Sequence, residues 1–464
     1  MTSFFMVPYS LVALVIAPLQ LLKMASKIRI LWAVQAMALC ASPLASQTPV
    51  DSGLAAFIAG IRAVDNHAHP NSAAPADSDY DALPLDGIPT SPWPMRIRPE
   101  NPEWIAAYRA VYGYAWNDLA AAHLGELRAT MQRVAREQGE RFPEWALDRM
   151  GTEVMLANRV ALGPGQGPPR FRWVSFVDAL LLPLDTRSER LTPDRRVLYP
   201  LEERLLHRYL ADLGVARLPP TLDAYVRTVV TPTLERQRQA GAVAVKFEAA
   251  YLRALDFDEP DAAMARRVYA RYASGGRPRH AEYKALQDYL FRVIAREAGR
   301  LGLAVHIHAF EGGGGFYQVA GSDPFLLESA FNDSTLRGTT FVIVHGGGGP
   351  FARHTLAMFW KPNVYADFSV STLTMSPMTL SGVLREWLAQ YPERVLFGTD
   401  ASASGPDLSW DVVGWLSAWT GRQALGMALT GMMRDGEITR PRAEEIATMV
   451  MRTNAARLYN LPIH

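Results

Sequence analysis

The sequence predicts an α/β fold, a (β/α)8 TIM barrel with long βα-loop insertions. Eight short β-branched or apolar runs recur along the chain, and segments of helical periodicity lie between most of them. Ligand-type polar residues stand at the ends of five of the runs. A closed barrel brings strand ends to one rim, whereas an open doubly wound sheet gives no reason for such placement.

Composition narrows the function classes. Of 464 residues, 49% are hydrophobic and 20% charged, the balance of a globular chain. With 47 Lys and Arg against 46 Asp and Glu, there is no basic field to hold nucleic acid. The single cysteine, Cys40, excludes a disulfide framework and a thiolate metal cluster. A bound metal must therefore sit on His, Asp, Glu or a modified Lys, and the ten histidines become the first residues to read.

The chain begins with segments foreign to a barrel. Residues 4–22 carry no charge and approach the length of a membrane span. From Met24 the order is that of a secretory leader: Lys27 and Arg29, an apolar run over 30–41, then small residues at Ala45 and Ser46. We read 1–46 as a leader starting at Met24 and 51–464 as the barrel domain. Residues 1–23 are then an upstream start or a membrane segment. Removing 1–46 leaves 44 basic and 46 acidic residues, a net charge of −2. The expected protein is exported, periplasmic and without stable membrane association after processing.

The eight runs are 61–69, 153–160, 171–182, 242–248, 303–309, 340–345, 363–369 and 394–400. Helical patterns cover, among others, 285–298 and 382–391. Three connections, 70–151, 183–220 and 255–282, are too long to be simple. Each follows a strand and belongs to the C-terminal face, where specificity loops are built. The tail over 411–461 reads as helices that close the barrel.

His67 and His69 end the first run. Residues i and i+2 of a strand face one side, so both imidazoles enter one space and suit a divalent metal. Lys246 lies inside the fourth run and shares a face with Glu248; a buried ammonium is costly unless paired or chemically altered. His308 ends the fifth run, His345 the sixth and Asp400 the eighth. His306, two residues before His308, reads as a deeper core histidine, and His354 belongs to the helix after the sixth run. The Gly-rich segments 312–315 and 346–349 lack a following Gly-Lys-Ser/Thr, so they read as tight turns, not phosphate loops. Arg253 and Arg159, beyond the fourth and second runs, are candidates to bind a substrate carboxylate, against the alternative of solvated surface arginines. Trp93, Trp104, Trp116 and Trp145 read as helix core of the first insertion.

Taken in order, VDNHAHP, VKFEAAYLRAL, VHIHAFEGGGG, VIVHGGGGP, NVYADFS, VLFGTDAS and NAARLYNL resemble the amidohydrolase superfamily over 55–462. More narrowly, the text is similar to the amidohydrolase-related (family 2) branch that includes the amidohydrolase-like half of nodulin/glutamine-synthetase fusion proteins, here without a synthetase domain. The resemblance implies that His67 and His69 bind one metal with Asp400. It implies that Lys246, as a carbamate, bridges to a second metal held by His308 and His345. In one-metal members the fourth strand contributes little and His345 orients water, so the count of one or two ions stays open. Glu248 is the substitute ligand if Lys246 remains an amine.

The cofactor implied is a divalent metal such as zinc, and the partner a small-molecule substrate; a homo-oligomer stays open. The function implied is hydrolysis of an amide, lactam or peptide-like C–N bond, with Asp400 and His345 catalytic. The alternatives are a metal-dependent decarboxylase or sugar-acid isomerase on the same barrel, and a non-catalytic metal- or ligand-binding barrel. Expression from Met24 should yield a processed protein whose N-terminal sequence starts near Ser46 or Gln47. Recovery of residues 1–23 on a mature, membrane-bound protein would reverse this reading of the start.

Overall fold

The computed structural model describes residues 50–71, 77–85, 88, 93–310 and 312–462. The expected leader and its cleavage site lie outside the described residues. Eight strands are present: β1 (Ala63–Ala68), β2 (Thr152–Asn158), β3 (Phe171–Phe176), β4 (Ala242–Phe247), β5 (Ala304–His308), β6 (Phe341–Val344), β7 (Val364–Asp367) and β8 (Val395–Leu396). Each overlaps one of the eight runs read from the sequence. They pair in parallel in the order β1 to β8. Backbone hydrogen bonds from Asn66 to Phe397, Asp400 to His67 and His69 to Ala401, each 2.8 Å, then join β1 to the segment leaving β8. The sheet thus forms a nearly closed (β/α)8 barrel.

Strand parity separates a dry end from a polar end. Val64, Val154, Leu156, Val174, Ala244, Ala304, Val342, Val344 and Leu396 pack together inside the barrel. The side chains two positions further along β4 and β5 are Lys246 and His306, and then comes His308. Apolar packing therefore fills the N-terminal half of the bore, and the same inward faces turn polar toward the C-terminal rim. Tyr459 and Leu461 of the tail join the interior cluster and close the apolar end.

The helices of nine or more residues are α1 (Ser52–Gly60), α2 (Glu103–Tyr112), α3 (Ala121–Gln138), α4 (Phe142–Met150), α5 (Pro193–Asp212), α6 (Thr231–Gln239), α7 (Ala262–Tyr272), α8 (His280–Arg300), α9 (Gly348–Met358), α10 (Pro377–Leu388), α11 (Trp410–Arg434) and α12 (Arg440–Thr448). Strict alternation fails between β2 and β3, where 159–170 holds no helix. The reason is local: GPGQGPP supplies three glycines and three prolines in seven residues, which cannot sustain a helix.

The first insertion carries α2, α3 and α4. Trp104, Tyr108 and Leu127 pack with Leu408, Val412 and Leu416, so this layer is anchored to the start of α11. Of its tryptophans, Trp104 is core, Trp145 is half-buried, and Trp93 and Trp116 are exposed. Among the described residues no helix is long and apolar enough to cross a membrane.

The polar end of β4 is braced from outside by an aromatic stack. Phe291 of α8 sits between Phe257 and Phe247, with ring centroids 3.9 and 5.0 Å away. All three are fully buried. Phe291→Ala should therefore cost about 3–5 kcal/mol in a urea unfolding titration. A loss under about 1 kcal/mol would show that the stack does not brace the strand.

Candidate metal centre

The end of β1 brings His67 and His69 edge to face, with ring centroids 4.9 Å apart and their Nε2 atoms 3.2 Å apart. Asp400 Oδ1 lies 3.1 Å from His67 Nε2 and 3.7 Å from His69 Nε2. The His345 ring stands 4.9 Å from His67 and 4.7 Å from His308. Lys246 Nζ is 3.5 Å from His67 Nε2 and 3.9 Å from Glu248 Oε1. The structure thus brings His67, His69, Lys246, His308, His345 and Asp400 to one point at the mouth. Donor atoms of His67, His345 and Asp400 all lie within 4.8 Å of one another.

Two of these residues hold backbone conformations that L side chains rarely adopt. His345 has φ +70° and Asp400 φ +56°. Such conformations persist only where the surroundings enforce them. Asp367, at the end of β7, accepts hydrogen bonds from the backbone N–H groups of His345 and Ser369, both 3.0 Å, and from Asn66 Nδ2 at 2.7 Å. The Ser369 hydroxyl also donates to Asp367 and lies 2.8 Å from His345 Nδ1, which leaves His345 Nε2 facing the mouth. Asp65 accepts from the backbone N–H and hydroxyl of Thr399 and thereby fixes the peptide before Asp400. The turn after His345 needs glycine, because a Cβ on Gly346 (φ +58°) would stand 2.2 Å from Trp387.

Burial sets the electrostatics. It drives the imidazoles of His67, His308 and His345 well below their ordinary range, and the Lys246 charge pushes them the same way. Neutral imidazoles have the free lone pairs that metal binding requires. Burial also raises the carboxyl groups of Asp400, Glu248 and Glu202, and takes Asp178 to about 7. The protein's own cations do not suffice to keep this rim ionised, a deficit that a divalent cation would correct.

The structure also shows residues that the sequence reading missed. Asp81, from the insertion after β1, places Oδ2 3.2 Å from His69 Nδ1. Burial would raise its carboxyl, but the neighbouring His69 wins and holds it below the usual range. No periodicity marked it, since it lies in an irregular segment. Asp367 and Ser369 stood in NVYADFS, where an acid at the end of an apolar run was the available signal. His306, as expected, lies deeper; its Nε2 is 2.7 Å from the Tyr459 hydroxyl, and burial lowers its pKa to about 3.

The two arginines expected to meet substrate are engaged by the protein. Arg159 donates to the carbonyls of Pro70 and Ala161 and to Asp77. Arg253 is buried, not solvated, and donates to Gln287 and Asp288. His354 lies on α9 and pairs with Asp323.

Removing the Asp367 carboxylate would strand three buried N–H donors, at about 1–3 kcal/mol for each unsatisfied group. Asp367→Ala should lower unfolding stability by about 3 kcal/mol or more. A chemical denaturation curve within about 1 kcal/mol of wild type would mean that water replaces the carboxylate freely.

The amidohydrolase family model matches residues 212–461, over half of the chain. No curated protein sequence gives a significant match. Among solved structures, the chain is similar to a protein from Lactobacillus casei ATCC 334 assigned as a metal-dependent hydrolase, at 15% identity and TM-score 0.52 over 88% of this chain and 97% of that one. It is similar to uronate isomerase from Thermotoga maritima at 15% identity and TM-score 0.53, over 88% and 96% of the two chains. It is also similar to glucuronate isomerase from Caulobacter crescentus at 13% identity and TM-score 0.56, over 90% and 97%. At these identities the structural likenesses speak to the barrel alone. It is the family match that assigns the chain: it belongs to the amidohydrolase family.

Proposed function

We propose that this chain is an exported, metal-dependent hydrolase acting on the C–N bond of a small amide, lactam or peptide-like substrate. The observation that carries the reading is the convergence of His67, His345 and Asp400 from the ends of β1, β6 and β8, with two of the three held in left-handed backbone. The donor set fits a divalent ion of zinc type: neutral imidazoles, one carboxylate, and a buried His308 Nε2 with no hydrogen-bond partner among the described residues. His67, His345 and Asp400, with His69 and His308 beside them, would hold the ion. When bound, such an ion supplies Lewis acidity and lowers the pKa of water.

The chain's own groups supply the rest. The Asp400 side chain is 18% exposed while that of His67 is fully buried, so the carboxylate is the group at the open side. It accepts the proton of the attacking water and returns it to the leaving nitrogen. Ser369, hydrogen-bonded to His345 Nδ1 and to Asp367, fixes the ring that faces the reacting carbonyl. Tyr251, whose ring lies 4.5 Å from that of His308, packs beside the imidazole. The similarity to nodulin/glutamine-synthetase fusions belongs to this proposal as a reading of the sequence motifs alone.

Asp400→Asn keeps the shape and an acceptor oxygen but removes basicity. On a hydrolysable substrate it should lower kcat by roughly 10²–10⁴-fold, while elemental analysis shows metal largely retained. Near-normal turnover would defeat the mechanism. Product analysis separates the rival reactions: two fragments or an opened ring with water consumed supports hydrolysis, whereas release of CO₂ or an isomer supports the decarboxylase or isomerase reading.

A further inference from the structure

We propose that the outer wall of the barrel carries a binding site for a small zwitterion, an α-amino acid with a compact apolar side chain, between β3 and the last turns of α5 and α6. The site is separate from the metal centre and does not depend on the hydrolase reading.

The site starts from the missing helix. Val160 and Ala161 belong to the connection after β2, which holds no helix. Trp173 stands on the outward face of β3, since its neighbour Val174 packs inside the barrel. With α5 and α6 these residues border a cavity of about 160 Å³. A space of ~150 Å³ holds a benzene-sized molecule, so there is room for a compact amino acid.

The floor is polar where a packed helix normally presents apolar side chains. Three residues of α6 are buried, Thr233, Leu234 and Gln237, and the two polar ones line the cavity. Thr233 and Gln237 are each 4% exposed. Thr233 Oγ1 and Gln237 Oε1 have no hydrogen-bond partner among the described residues. The Tyr209 hydroxyl, beside Gln237, donates its proton to the Phe176 carbonyl at 2.7 Å. Toward Gln237 it can only accept, which turns the amide NH₂ to the tyrosine and leaves Oε1 for the cavity. A buried acceptor and hydroxyl left unpaired are costly, so the cavity calls for an occupant that donates to one and pairs with the other.

The mouth supplies charges of both signs. Arg208, on the same wall, is committed to Asp79 at 2.8 Å. Asp212 of α5 and Arg236 of α6 also line the cavity, and neither makes an ion pair among the described residues. An α-amino acid answers the whole set. Its carboxylate suits the Arg236 guanidinium, its ammonium donates to Gln237 Oε1 and Asp212, and its side chain covers Trp173, Val160 and Leu213. Water would satisfy the floor but leave that apolar wall wet.

The test is calorimetric titration of the full chain with L-leucine, after a chelator has removed metal so that the amino acid cannot ligate an ion at the barrel mouth. Wild type should bind one equivalent saturably at or below millimolar concentration. 4-Methylpentanoate and 3-methylbutylamine, which each lack one of the two charges, should bind at least about tenfold more weakly. Arg236→Ala, at an exposed position, and Gln237→Leu should each weaken leucine binding by a similar factor, with circular dichroism confirming the fold. No saturable binding up to roughly 10 mM would overturn the inference and leave a water-filled cleft. Equal binding of either one-charge analogue, or unchanged affinity in both variants, would overturn it as well. None of these results bears on the hydrolase reading, which the Asp400→Asn assay tests by itself.

Discussion

The carboxylate of Asp367 is the constraint on which the site depends. It is fully buried, and it gathers the peptide N–H groups of His345 and Ser369, the Ser369 hydroxyl and the Asn66 amide. Those donors come from the ends of β6, β7 and β1. A single anion therefore sets the spacing of three strand ends and holds His345 in a left-handed peptide. The network continues inward: Tyr459 donates to Asn66 and lies beside His306. The tail that plugs the apolar end is thus linked by hydrogen bonds to the rim. Asp65 plays the matching part on the other side, tying Thr399 to β1 and so placing Asp400.

A barrel that concentrates buried acids at one rim must manage their charge. Lys246 acts on His67, His308, His345, Asp178 and Glu248. One ammonium cannot balance the carboxyl groups around it, and Asp178, Glu202 and Glu248 each retain at least one buried oxygen without a hydrogen bond. Such groups are expensive in an apolar interior unless they are protonated or paired. The apolar half of the bore needs no such compensation. The division of the barrel into a packed end and an electrostatically unbalanced end is what makes the rim a place for cations.

Much of this was legible in the sequence, for identifiable reasons. Strands buried on both faces read as continuous apolar runs, so all eight could be located without periodicity finer than two. The residues ending those runs could be listed because strand ends at one rim share one environment. What stayed hidden depended on contacts without sequence period. Asp81 reaches His69 from an irregular segment, and nothing local distinguishes it from Asp77 or Asp79. Asp367 and Ser369 act through hydrogen bonds that exist only once β7 lies beside β6. The missing helix between β2 and β3 was written in GPGQGPP, where composition outweighs the expectation of alternation.

The arginines carry the point furthest. Arg159 and Gln166 both donate to the carbonyl of Pro70, the residue after His69, and Arg159 also holds Asp77. The guanidinium side chain is 1% exposed. A cation near a strand end thus shapes the exit of the chain from the H-x-H pair and sets where the segment bearing Asp81 begins. Arg253 does the same for the connection after β4, through Asp288 and Gln287 of α8. With their donors committed to the scaffold, these two side chains stabilise the walls of the mouth.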